Sequence, residues 1–139
     1  MQWLTWALLS ALFAGLTAVL AKVGVSTINS NLATAIRTTI ILVFTWSIAL
    51  GTGGVSGLAG VSGKSWIFLV LSGVATGLSW LCYFRALQMG DVAKVAPIDK
   101  LSVVAAMLLA MIFLGERLSY RSTIGAGLIV SGAVVLAWP

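Results

Sequence analysis

The sequence predicts an all-α integral membrane protein, a bundle of five transmembrane helices forming one half of an inverted-repeat, ten-helix architecture. Three observations carry that prediction. Five apolar stretches fill the 139-residue chain, each near the ~20 residues a helix needs to cross ~30 Å of hydrocarbon. The chain is 60% hydrophobic and 8% charged, far from the roughly 25% charged residues of a soluble domain. At 14.5 kDa, a water-soluble fold has too much surface for its volume to hide that apolar area. Finally, five is odd. The two ends then fall on opposite sides of the membrane, and the chain holds about half the helices of folds built from two inverted repeats.

The first span runs from about Trp3 to Lys22 and carries no charge between Met1 and Ala21. The start, Met1-Gln2-Trp3-Leu4, lacks the basic region of a signal peptide and predicts a retained helix. The second span runs from about Leu32 to Leu50, with Asn29 and Asn31 placed to cap exposed backbone N–H groups. Glycines and serines between Gly51 and Gly63 predict a flexible loop. The third span, about Ser65 to Leu87, contains Gly73-x-x-x-Gly77, a spacing that permits close approach of helix backbones. Gly90-Asp91 separates it from the fourth span, about Val92 to Leu114: glycine suits a C-terminal turn and aspartate the next N-cap. Ser119 caps the fifth, about Tyr120 to Trp138. The whole of residues 1–139 reads as one membrane domain. Trp3, Trp6, Trp66 and Trp138 fall at membrane edges, as an aromatic belt does.

The net charge is +5, from eight Lys/Arg and three Asp/Glu. The basic residues are scattered singly between apolar spans, which points to lipid headgroups as partners and not to nucleic acid. There is no histidine and one cysteine, Cys82, so neither a zinc or haem site nor a cofactor is expected. With three carboxylates the acid–base inventory is thin for an enzyme, and no phosphate-binding P-loop is present.

Orientation follows Lys/Arg asymmetry in short loops. One side receives Lys64, Arg117 and Arg121; the other receives Lys22, Arg37, Arg85, Lys94 and Lys100. Three against five is a weak bias. Dual insertion is expected, giving an antiparallel homodimer of ten helices; one fixed orientation with a parallel oligomer is the alternative.

Ionisable groups inside a bilayer cost about 2.5–3.5 kcal/mol each at a helix centre and are functional candidates. Span four opens with Lys94, Pro97, Asp99 and Lys100. Pro97 lacks an N–H and frees the carbonyl of Ala93, so a kink is expected there. Asp99 and Lys100 are adjacent, hence about 100° apart on a helix, and each needs another partner. Arg85 is the expected mate of Asp99. Arg37, early in span two, needs a paired or water-filled setting. Trp80 and Tyr83 share a face of span three with Thr76 and Gly77, an aromatic wall suited to an organic ligand. Substrate contacts are therefore expected at Trp80, Tyr83, Asp99, Lys100, Arg37 and Arg85. For each, snorkelling to headgroups or packing against neighbours is the competing reading. Glu116, near Arg117 and Arg121, is expected to make a structural ion pair or cap.

Ala86-Leu87-x-x-Gly90-Asp91-x-Ala93-x-x-x-Pro97, followed by Leu114-Gly115-Glu116, Gly125 and Gly132, resembles the EamA domain of the drug/metabolite transporter superfamily. The likeness covers essentially the whole chain, Arg37 included. It implies an exporter or permease of small organic metabolites such as amino acids, resident in the cell membrane and working by alternating access. Members usually carry two such domains in inverted orientation around a central cavity, and this chain carries one. A site lined by spans one, three and four of paired copies is the expected arrangement. A small multidrug resistance-type exporter is an alternative, although it needs an acid in the first helix. A non-transporting scaffold subunit is another, although a scaffold has little reason to keep Asp99 and Lys100 in a bilayer.

Overall fold

Helices persist here because little interrupts them. The chain's two prolines are Pro97 and Pro139, so the first three spans meet no missing backbone donor. The computed structural model describes residues 2–138. Its helices are α1 (Gln2–Val25), α2 (Ser30–Gly51), α3 (Gly63–Met89), α4 (Val92–Asp99), α5 (Leu101–Leu114) and α6 (Tyr120–Ala137). Five passages are long and apolar enough to cross a membrane: α1, α2, α3, the α4–α5 pair and α6. These are the five spans expected from the sequence.

Local chemistry sets the ends. Asn29 has non-helical backbone, and its Oδ1 accepts from the N–H groups of Asn31 (2.9 Å) and Leu32 (3.4 Å), starting α2. Ser119 Oγ accepts from Ser122 N at 3.1 Å and starts α6. Asp91 takes the N-cap position of α4, but its carboxylate makes no cap hydrogen bond. Its carbonyl receives Lys94 N and Val95 N instead. Gly115 ends α5 with φ 67°, a left-handed conformation that glycine adopts without a Cβ clash.

Two expectations change. The stretch between Gly51 and Gly63 is not an irregular loop: Gly54–Gly60 forms a 3-10 helix. Gly53, at φ 72°, turns the chain into it, and Ser56 Oγ donates to the Gly53 carbonyl at 2.8 Å. Short i→i+3 bonding suits a segment too small and glycine-rich for an α-helix. The fourth span is two helices with a break at Lys100. Its N–H is shared between the carbonyls of Ala96 (3.3 Å) and Pro97 (3.1 Å), a tightened turn one step beyond the proline.

The chain divides into two compact units. Ala21–Gln88 holds the end of α1, α2, the 3-10 segment and α3. Its core is the junction of helix ends: Ala21, Val25, Ser30, Ala33, Thr34, Phe84 and Leu87 are buried, Val25 and Leu87 completely. Gln88 Nε2 donates to the carbonyls of Ile28 (2.9 Å) and Val25 (3.3 Å), completing the terminus of α1. Lys22 Nζ donates to the carbonyl of Leu87 at 2.7 Å, placing a cation at the C-terminal end of α3 where the helix dipole is negative. In the other unit, residues up to 20 and from 89 onward, α6 packs against both α4 and α5, with Ala133 of α6 buried.

Among the described residues no atom beyond the local helix lies within 4 Å of where a Cβ at Gly73 or Gly77 would sit. The small-residue face of α3 is open.

Candidate functional site

The site builds from Arg37, seven residues after the first residue of α2 and thus about 10 Å along its axis. Its guanidinium carbon lies 4.2 Å from the centroid of the Trp80 ring and 5.4 Å from that of Phe84. Such a contact gives about 0.5–1 kcal/mol when exposed and ~2 kcal/mol when desolvated. Trp80, Phe84 and Gln88 follow at four-residue spacing and so form one stripe along α3. Five of the six tryptophans are at least 45% exposed; Trp80 is the half-buried exception. Tyr83, also half-buried, interacts electrostatically with Arg37.

No acidic residue occurs between Ala21 and Gln88: the three acids are Asp91, Asp99 and Glu116. That segment holds Lys22, Arg37, Lys64 and Arg85. Within it, ring faces and carbonyl oxygens are the groups that stabilise cations.

Beside this pair, α2 and α3 border an open groove of about 350 Å³, whose lining includes Asn31, Thr34, Thr38, Thr39, Gly77 and Leu81. The hydroxyls of Thr34, Thr38 and Thr39 donate to the carbonyls of Ser30, Thr34 and Ala35, at 2.9, 2.8 and 3.1 Å. Bonding back to the helix leaves their oxygens as acceptors. Thr76 is engaged in the same way, donating to Ser72 O at 2.9 Å.

One expectation is corrected, that Asp99 and Lys100 need separate partners. Arg85 Nη1 donates to Gln88 Oε1 at 3.0 Å, three residues along the same helix. Asp99 and Lys100 do face each other, with Lys100 Nζ 3.4 Å from Asp99 Oδ2. A continuous helix holds neighbours about 100° apart, and the break at Lys100 lifts that constraint. Glu116 makes no ion pair with Arg117 or Arg121 among the described residues; its backbone N–H closes α5 on the Ala110 carbonyl at 3.3 Å. No cluster of three or more metal-ligating side chains occurs among the described residues.

Phe84, Gln88 and Lys22 were not singled out from the sequence as parts of this region. The Trp80-x-x-x-Phe84-x-x-x-Gln88 spacing held a signal for the first two. Nothing local signals that Lys22 reaches the end of α3.

The sequence profile described as the EamA-like transporter family matches residues 1–138. A relative from Sinorhizobium sp, called an uncharacterized transporter in the cobO 3' region, is 53% identical over 136 residues. The match covers 98% of this chain and 96% of the relative. No solved structure matches.

Proposed function

Because the chain belongs to the EamA-like transporter family, we propose that it moves a small organic solute across the cell membrane by alternating access, as an antiparallel pair of copies. The observation that carries this reading is the odd number of spans, five among the described residues. A second, inverted copy supplies the ten helices that two-repeat transporters hold in one polypeptide. The Sinorhizobium relative is matched over 96% of its own length. The open glycine face of α3 supports close docking of another helix.

In this reading Trp80 and Tyr83 form the apolar wall and Arg37 holds a polar group of the solute. The Asp99–Lys100 pair, beside the break after Pro97, is a gating element. A broken helix offers backbone groups that an intact one keeps internal, and an exposed pair of low strength separates readily. Arg85, tied to Gln88, positions the end of α3.

A C-terminal topology reporter combined with intermolecular crosslinking tests the proposal. Cys82 is unpaired and exposed, which makes it a native handle for crosslinking. The expected result is reporter signal on both sides of the membrane and crosslinked dimers. Signal from one side alone removes the antiparallel pair. A scaffold subunit is distinguished by function: reconstituted protein then moves no solute, and Asp99→Asn and Lys100→Ala are both silent.

A further inference from the structure

Resting on that transport reading, we infer that the solute is an organic anion whose carboxylate docks on the in-plane edge of Arg37. The starting point is the imbalance in Ala21–Gln88, with four cations and no acid. Lys22 is engaged by the Leu87 carbonyl and Arg85 by Gln88. Lys64 stands at the start of α3. Arg37 differs from them all, standing well inside a span and half-buried.

The way Arg37 is held decides what it can take. A guanidinium has two different surfaces: a face that stacks on rings and a planar edge carrying five N–H donors. Trp80 and Phe84 contact the cation through their rings, with centroids 4.2 and 5.4 Å from its central carbon, an attraction to the charge that needs no hydrogen-bond acceptor. The edge has the fork geometry that matches a carboxylate with two parallel hydrogen bonds. A full positive charge kept inside a span is costly, and an arriving anion offsets that cost. A cationic solute raises it. The rings that hold the guanidinium also offer an apolar surface to the body of the ligand, so an aryl or alkyl carboxylate fits better than a small inorganic anion.

The test uses the full chain in phosphatidylcholine nanodiscs and radiolabelled phenylacetate and indole-3-acetate as probes. Each acid is compared with its neutral amide and with the corresponding amine. At least tenfold tighter binding of the acids is expected. Arg37→Gln should abolish that preference, so that acid and amide bind alike, and Arg37→Lys should restore it in part, because charge survives without the fork. Far-ultraviolet circular dichroism of each variant separates loss of the edge from loss of the fold. Repeating the measurement in phosphatidylglycerol distinguishes solute from lipid: the preference should persist. An amine or amide that binds as well as its acid overturns the inference and leaves transport intact. So does an acid preference that Arg37→Gln retains, or one that vanishes in phosphatidylglycerol because headgroup phosphate holds the site. If the reconstituted protein neither binds nor moves solutes of any charge, the transport reading has failed as well.

Discussion

Two regions of this molecule handle charge in opposite ways. Between Ala21 and Gln88 every charged residue is basic, and Lys22 and Arg37 are held by a carbonyl oxygen and by aromatic rings from distant parts of the chain. From Asp91 onward acids and bases intermingle. There an ion pair joins neighbours, Asp99 and Lys100, at a helix break, with side chains 33% and 56% exposed. The first arrangement ties segments together over more than sixty positions, as Lys22 to Leu87 does. The second ties a turn to itself. Cations held by rings and carbonyls build tertiary structure, whereas a sequence-local ion pair leaves its helix free to change.

The largest loss should follow from cutting a tie in the first region. Gln88→Leu removes two hydrogen bonds to the α1–α2 turn and the acceptor of Arg85, for about 2–3 kcal/mol in all at ~1 kcal/mol per bond. Equilibrium unfolding in mixed micelles should record it, with faster amide exchange at 25–29. Trp80→Leu keeps apolar bulk but deletes the ring face under Arg37, and a loss of about 1–2 kcal/mol is expected by the same measurement. The same change at Trp66, in the aromatic belt, should cost less; an equal cost would erase the distinction drawn between them. Asn29→Ala strips two N–H groups of their acceptor and should cost about 1 kcal/mol. The smallest effect belongs to the second region. A double-mutant cycle between Asp99→Asn and Lys100→Met should give a coupling of about 0.5 kcal/mol. A coupling above that of the Arg37–Trp80 pair would reverse the comparison.

The five spans were legible in the sequence because bilayer thickness imposes a length that composition displays directly. So were the caps of α2 and α6, since Asn29 and Ser119 act within three residues of themselves. The break in span four was legible as a proline effect, but its site at Lys100 was not. The shared N–H that marks it depends on how the turn tightens after the ring. The partner of Arg37 was hidden for a different reason. Trp80 lies on another helix, and chain position carries no record of which helix faces α2. The bond from Arg85 to Gln88 went unseen because charge alone was weighed, when a side-chain amide three residues along the same helix is an acceptor. Polar satisfaction in a membrane draws on rings, amides and carbonyls as readily as on opposite charges, and a census of acids and bases overlooks the former.

The junction of Lys22, Val25, Ile28, Leu87 and Gln88 bears on how the protein is made. Every group in it has left the ribosome once residue 88 emerges, and chains are completed from the N-terminus. Three helices can therefore clasp their ends while the proline-bearing span and the last one are still being synthesised. The clasp is thus complete in the nascent chain before the last two spans exist.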